Sequence, residues 1–452
     1  MTSAASPTLS DRLRRFATGG VASIAVGVGI TNLLRIASSM TLTRLLDSHA
    51  YGVVGVITSV AFALTMLTDL GLYGFIVRHK EGDDPRFLDQ VWTIRAVRGF
   101  ALAAAMAVAA MPIAQLLGKP ELGPVLAVWS ISFALEGLSS LAFATAVRQQ
   151  RLWRLMFLDL SSSVTTIIVS IALAVLLRSY WAMVIGMLVG AAAKASTSYL
   201  LFRPAFRRPQ VDRARMRELW AFSRYIAMSS ILSLLIMQSD KVVLAKLMPL
   251  AQFGLYAIAI TLAGAPTALA GPYASRVLFA VYSNTARTDP GNLRRVLYDA
   301  RRKVVLLYML CIGGMIGGAP LLVALLYDPR YHLVAVFLQL ILITTLLRLP
   351  ALAANEALVA LGKTRSQFYA NVLRIIWLAI GGAVGLWTGN IMLLVAIVGT
   401  VEVPGYLCFL FNLRRAGLLN LREEAYGLMA GAVGVGIGWG VATAALTAYP
   451  NL

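Results

Sequence analysis

Charge is scarce in this chain. Only 13% of its 452 residues are Asp, Glu, Lys or Arg, about half the share of a soluble globular domain, so a water-soluble fold is excluded. Acids are scarcer than bases, 20 against 40, which leaves a formal net charge of +20. Only two cysteines occur, Cys311 and Cys408, both inside apolar runs, so there is no disulfide framework. The three histidines, His49, His79 and His332, are isolated from one another and form no metal-ligand cluster. No complete phosphate-cradling G-x-x-x-x-G-K-[ST] loop occurs, since Gly362-Lys363-Thr364 is preceded by Ala357 where the loop needs glycine, and no nucleophile elbow occurs, which argues against ATP hydrolysis by this chain. Long polar stretches are missing too: the longest lie around 203–218 and 284–302 and are basic. No soluble domain is expected on either side of a membrane.

What fills the chain instead is a succession of apolar runs of about 20–28 residues, the length that spans a ~30 Å hydrocarbon layer as a helix. Lipid offers the backbone no partner, so each run must satisfy its own peptide groups by coiling. The expected helices are 18–44, 52–77, 91–112, 122–147, 155–177, 180–202, 219–247, 253–283, 303–326, 332–360, 366–387, 390–412 and 426–448. Pro266 and Pro272 should bend the eighth. The N-terminus is polar, then basic, then enters a run too long for a signal-peptide core, so the first run is expected to be retained.

The basic residues are not scattered. Arg12, Arg14 and Arg15 precede the first run. Arg78, Lys80 and Arg86 follow the second, and Arg148, Arg151 and Arg154 the fourth. Arginines cluster again after the sixth and eighth, Lys363 and Arg365 follow the tenth, and Arg414, Arg415 and Arg422 the twelfth. The alternate connections hold only Arg44, Lys119, Arg178, Lys246 and Arg330. This asymmetry places the N-terminus in the cytoplasm and makes the charge a topology signal, not a nucleic-acid footprint. With thirteen spans the C-terminus faces outward. The last helix, with Gly434, Gly436, Gly438 and Gly440 as a packing surface, reads as peripheral to a twelve-helix core.

The two halves share wording. Arg44-Leu45 precedes Tyr51-Gly52, and Lys246-Leu247 precedes Phe253-Gly254, each position 202 residues from its counterpart. Six helices separate the copies. The halves are therefore parallel repeats, an architecture that places substrate between them near the bilayer midplane. The segmentation expected is a 1–17 cytoplasmic segment, an N-lobe at 18–202, a basic linker at 203–218, a C-lobe at 219–412, and a basic loop with the thirteenth helix at 413–452. The expected fold is an all-α polytopic membrane protein with two six-helix lobes around a central cavity plus one extra C-terminal helix.

Some ionisable residues fall deep inside the runs. Arg35, Lys194, Arg348, Asp69 and Glu136 each lie about ten residues or more from either end, where a lone charge costs at least a few kcal/mol. Arg35 is expected near Asp69. Two readings stay open for these five: internal ion pairs that lock helices, or a wet cavity in which cations receive an anionic headgroup while acids take protons. Arg276, nearer the cytoplasmic end of the eighth helix, joins the cavity candidates. Asp240, beside Lys241 near the outer end of the seventh, joins Asp69 and Glu136 as a coupling or ion-pair candidate. Arg95, Arg98, Arg224 and Arg374 lie within two or three turns of a cytoplasmic end and read as structural residues that snorkel to headgroups.

Four stretches carry a family resemblance: Thr43 through Gly55 with Thr68-Asp-Leu-Gly71; Ala146 through Arg154; Phe222-Ser-Arg-Tyr225 with Gln238-Ser-Asp-Lys241 and Lys246 through Tyr256; and Ala360 through Arg365. In order and spacing the chain resembles the polysaccharide transporter (Wzx-type) branch of the multidrug/oligosaccharidyl-lipid/polysaccharide flippase superfamily. The resemblance implies a bacterial inner-membrane flippase, not an enzyme, that moves an undecaprenyl-diphosphate-linked oligosaccharide repeat unit by alternating access for exopolysaccharide or O-antigen synthesis. It implies cavity arginines on the lipid diphosphate, carried over to Arg35 and Arg276. It also implies the polymerase and export machinery of the same pathway as partners. No bound cofactor is expected; direction then comes from a proton or sodium gradient, the membrane potential or product removal. A multidrug/cation antiporter of the related branch would favour an acid-dominated, aromatic pocket. A membrane polysaccharide polymerase or glycosyltransferase would need sizeable outward loops.

Overall fold

A computed structural model of the chain describes residues 20–141, 144–146, 152–201, 208–210 and 212–448. The 1–17 segment with Arg12, Arg14 and Arg15, together with Arg148, Arg151, Arg203 and Arg207, lies outside the described residues. All regular structure among the described residues is helical. In chain order the helices are α1 (Gly20–Leu45), α2 (Ser48–Leu67), α3 (Leu72–Arg78), α4 (Pro85–Leu116), α5 (Leu122–Trp129), α6 (Ile131–Leu138), α7 (Leu152–Leu177), α8 (Trp181–Leu201), α9 (Arg213–Leu247) and α10 (Leu250–Pro272). A π-helical segment, Tyr273–Leu278, leads into α11 (Phe279–Thr288). Then follow α12 (Leu293–Gly317), α13 (Ala319–Leu326), α14 (Leu333–Ala360), α15 (Arg365–Thr388), α16 (Ile391–Gly399), α17 (Glu402–Arg415) and α18 (Leu421–Ala448). Among the described residues nine helices are long and apolar enough to cross a membrane, or ten if the bent α12–α13 pair is one span. The other expected spans correspond to α1, α9 and the shorter apolar α5–α6.

Several expected spans are interrupted, each for a local reason. The second stops at Leu67 and resumes at Leu72 after Gly71, whose φ of 60° is a left-handed conformation suited to glycine. The third begins earlier than expected, at Pro85, because Asp84 caps it by accepting from the Phe87 amide at 3.1 Å. The fourth breaks at Leu138, where Ser139 turns extended, and helix is described again at 144–146. In the eighth, the expected irregularity appears as the π segment directly after Pro272, which has no N–H to give the ladder. The ninth bends by 71° between α12 and α13, with Pro320 in the first turn after Gly318. The twelfth is interrupted at Thr400–Val401, between α16 and α17.

The described residues form two compact units: those up to 46 with those between 56 and 234, and 47–55 with those from 235 on. In the first, α7 packs on α8 and α1, and α4 packs on α5 and α6. In the second, α14 is the hub, touching α10, α11, α12, α13, α16 and α17. Its buried positions run nearly all the way round, from Leu338 and Leu342 to Ala354 and Leu358, as expected of a helix with neighbours on every side.

The repeated motifs meet inside the second unit. A Cβ added to Gly52 would collide with the Leu250 carbonyl oxygen, and one added to Gly254 would collide with the Ser48 carbonyl oxygen. Ser48 and Leu250 are themselves 202 positions apart, so the two contacts are equivalents under the repeat. The aromatic-Gly wording therefore marks a reciprocal backbone crossing of two helix starts.

The last described helix is mostly unburied and packs chiefly on one neighbour. α18 makes the most extensive packing of any helix against α12. Gly434 and Gly438 lie on the backbone of Leu310 and Gly314, while Gly313 and Gly317 lie on that of Gly431 and Val435. Such mutual small-residue packing is what holds helices together where lipid is as apolar as leucine. Gly436 and Gly440 have open space around them, so only alternate glycines of the expected surface pack.

Replacing Gly52 or Gly254 by valine forces two backbones apart and should cost about 1–3 kcal/mol, read as a fall in melting temperature of the purified protein. Gly264→Ala, at a position with nothing within 4 Å, should leave it unchanged.

Candidate functional site

In each unit one group of deep charges lies where a spanning helix is interrupted. In the first unit α4 and α6 cross at glycines: a Cβ on Gly99 would stand 2.7 Å from the Gly137 Cα. That close approach brings Arg95 and Arg98, one turn apart on α4, beside Glu136 on α6. Arg98 turns toward the end of α2. Its Nη2 donates to the Thr65 carbonyl at 3.0 Å and to Thr68 Oγ1 at 2.9 Å. Arg95 donates to the Ser140 carbonyl at 3.3 Å, just past the end of α6. The same end receives Ser198 Oγ, which accepts from the Ser140 amide at 3.0 Å, and Tyr199 Oη, which donates to the Leu138 carbonyl.

Asp69 lies in the α2–α3 interruption, not in the middle of a continuous helix as expected. Its Oδ1 accepts from the Gly71 amide at 2.9 Å and its Oδ2 from Ser230 Oγ at 3.3 Å. Ser223 Oγ donates to the Leu70 carbonyl at 2.6 Å. The carboxylate is thus a cap for exposed backbone donors. Its charge acts on Arg98. Arg35 makes no hydrogen bond or ion pair to it; Arg35 is exposed on α1 without a polar partner among the described residues. Glu136 is exposed beside a small recess lined by Thr65, Arg95, Arg98 and Phe133. It interacts electrostatically with both arginines, and no donor reaches its carboxylate among the described residues.

Lys194, on α8, forms an ion pair at 2.6 Å with Asp159 on α7, and both side chains are half exposed. The α7–α8 interface that carries it is tight, since Gly186 and Gly190 lie against Ser170 and Thr166.

In the second unit Glu402 opens α17 directly after the interruption at Thr400–Val401. It takes Arg374 of α15 at 2.6 Å and Arg348 of α14 at 3.3 Å. The carbonyls left bare by the end of α16 are met from the same two helices. Thr344 Oγ1 donates to the Gly399 carbonyl at 2.7 Å, and Trp377 Nε1 donates to the Ile397 carbonyl at 3.1 Å. Asp240 accepts from Tyr256 Oη at 2.6 Å on one oxygen; its other oxygen is buried without a hydrogen bond. Lys241 points elsewhere, to the Met237 carbonyl at 3.0 Å. Arg276 is exposed on the π segment with no polar partner among the described residues. At the opposite end of α12, Arg301 pairs with Glu424 of α18, whose carboxylate also accepts from Tyr298 and Tyr406 at 2.9 and 2.6 Å.

Sequence reading missed Arg95, Arg98 and Arg374 as site residues and missed Asp159 and Glu402 entirely. The Asp84-Pro85 start signal would have lengthened α4 and moved Arg95 and Arg98 well inside it. Glu402 sits at the centre of the expected 390–412 run, so the depth criterion used for Asp69 would have found it. Asp159 is a partner only through helix packing. No group of three or more His, Cys, Asp or Glu able to hold a metal ion occurs among the described residues.

Comparisons with known proteins place this architecture. The family described as Polysaccharide biosynthesis protein matches residues 41–336. The chain is 21% identical over 394 residues to the lipopolysaccharide biosynthesis protein WzxC of Escherichia coli (strain K12), covering 84% of this chain and 77% of that one. It is 22% identical over 374 residues to the succinoglycan biosynthesis transport protein ExoT of Rhizobium meliloti (strain 1021), covering 82% and 75%. Its fold is similar to that of the lipid II flippase MurJ in an inward closed conformation, with a TM-score of 0.70 at 13% identity over 91% of this chain and 98% of that one. It is also similar to an inward-facing multidrug resistance MATE family transporter, with a TM-score of 0.67 at 12% identity over 90% and 99%.

Arg98→Ala should take from the Thr65 carbonyl its 3.0 Å donor, leaving only the 3.4 Å contact from Thr68 Oγ1, and cost about 1–3 kcal/mol. A lower melting temperature with membrane insertion intact would register it, and Arg98→Lys should recover part of the loss.

A helical, multi-pass chain whose match extends from the repeated motif into α14 thus belongs to the polysaccharide biosynthesis protein family.

Proposed function

We propose that this transporter flips an undecaprenyl-diphosphate-linked oligosaccharide repeat unit from the cytoplasmic to the periplasmic leaflet by alternating access, in exopolysaccharide or O-antigen synthesis. The observation that carries the reading is the state of Arg35 and Arg276. Both guanidiniums belong to long apolar helical stretches, both are exposed, and neither has an acid partner among the described residues. A cation held in such a place without a protein anion needs water or a ligand anion. Guanidinium suits a diphosphate because its fork delivers two bonds to phosphate oxygens. Arg348 supports the reading as a half-exposed cation. Lys194 does so less, because Asp159 already neutralises it.

The physical problem is the polar head, which in hydrocarbon would have to shed its water at a cost of several kcal/mol per unpaired polar group. A hydrated path lined by cations removes much of that cost while the lipid tail stays in the bilayer. Energy input falls to an ion gradient, the membrane potential or product removal. Of the three acids considered for coupling, Asp69 is engaged as a helix cap, which favours Glu136 and Asp240 as proton or sodium carriers. The orientation with a cytoplasmic N-terminus rests on the loop arginines. The polymerase and export machinery of the pathway would receive the flipped unit.

Arg35→Ala and Arg276→Ala should each abolish polymer export while the protein inserts at normal levels, and Arg35→Lys should retain part of it. Normal export from both alanine variants would overturn the reading. In vesicles, flux of lipid-linked oligosaccharide should rise with an imposed proton or sodium gradient; equal flux with and without gradients would eliminate coupling.

A further inference from the structure

The two oxygens of Glu402 are not used alike. Glu402 is 2% exposed, and its Oε1 accepts from Arg374 Nη2 at 2.6 Å. Arg374 is nearly as buried. It donates a second bond, at 2.7 Å, to Asn371 Oδ1, and its guanidinium lies against Gly405 so closely that a Cβ there would stand 2.6 Å from Nε. The Arg374–Glu402 pair is therefore a fixed element of the unit. Glu402 Oε2 faces Arg348 Nη1 at 3.3 Å, long for a charge-assisted bond. The Arg348 side chain is 43% exposed, and its Nε and Nη2 have no acceptor among the described residues.

Two cations share one anion here, so the cluster keeps one positive charge in excess. A purely structural ion pair has no use for the third member, because a one-to-one pair already cancels both charges and avoids the cost of an extra buried charge. The excess resides on the member that is loosely held and half exposed. We infer that Arg348, Glu402 and Arg374 form an anion-exchange site. In it Glu402, clamped by Arg374, is the resident counter-ion that Arg348 leaves when an anionic oxygen of the cargo arrives and rejoins when the cargo departs. Glu402 and Arg374 are positioning residues that act through Arg348. The ligand chemistry is a phosphate or carboxylate oxygen, from a lipid diphosphate or from an acidic sugar. This deepens the flippase reading and rests on it only for the identity of the cargo.

The test is calorimetric titration of the full-length protein in phosphatidylcholine nanodiscs with inorganic pyrophosphate and, separately, with glucuronate. Arg348→Ala should weaken binding of the preferred probe about tenfold. Glu402→Gln should tighten it about tenfold, because the competing anion is gone. Arg374→Gln should weaken it, because an unclamped Glu402 moves wholly to Arg348. Opposite signs for Glu402→Gln and Arg374→Gln are the signature, since a merely structural network would give both the same sign. Melting temperatures check folding, and Glu402→Asp, whose shorter reach loosens the Arg348 contact, carries the same sign as Gln if Gln unfolds the protein. Tighter binding of pyrophosphate assigns the site to the diphosphate, and tighter binding of glucuronate assigns it to an acidic sugar. Same-sign shifts, no effect of Arg348→Ala, or no wild-type binding of either probe would overturn the exchange site. Normal export from the Arg35 and Arg276 variants would instead overturn the cargo reading and leave the two opposite signs standing.

Discussion

A helix that stops inside a bilayer leaves carbonyls and amides that lipid cannot satisfy. Much of the polar chemistry of this chain answers that demand. Where α2 ends, Arg98 meets the carbonyl of Thr65 and Asp69 meets the amide of Gly71. Where α6 ends, Arg95, Ser198 and Tyr199 address residues 138–140. Where α16 ends, Thr344 and Trp377 cover the carbonyls, and Glu402 starts the next helix with two arginines in attendance. Charged groups and helix interruptions thus support each other. The interruption supplies polar backbone in an apolar layer, and the charge supplies the missing partner.

The same logic separates the ionisable residues into two kinds. Asp69, Arg98 and the two terminal nitrogens of Arg374 are bonded to the protein and hold local geometry. Arg35 and Arg276 have no such engagement among the described residues, and Arg348 has only a long one. Glu136 stands between these kinds, near two arginines but unbonded. The two kinds differ in how firmly the protein itself holds them.

Apolar length was legible from the residues alone, and so was the repeat, because both depend on residue type along the chain. The interruptions were not. Gly71, Ser139 and Thr400 barely dent the hydropathy of the runs that contain them, and Gly318 is one glycine among several. Arg95 and Arg98 were placed near a helix end because the Asp84-Pro85 start was overlooked; the correct start changes their depth and hence their meaning. The pairing of Lys194 with Asp159 was out of reach, because it depends on how α7 rotates against α8. Glu402 was within reach and was passed over, although an acid at the centre of an apolar run is itself a signal.

The glycine face shared by α12 and α18 has a consequence for how the chain is made. α12 emerges from the ribosome long before α18, so its flat backbone surface has no mate until α18 has been synthesised and released sideways into the membrane. This seam of the second unit therefore closes only once α18 is in place, and a translation product halted after α17 would carry it open in every copy.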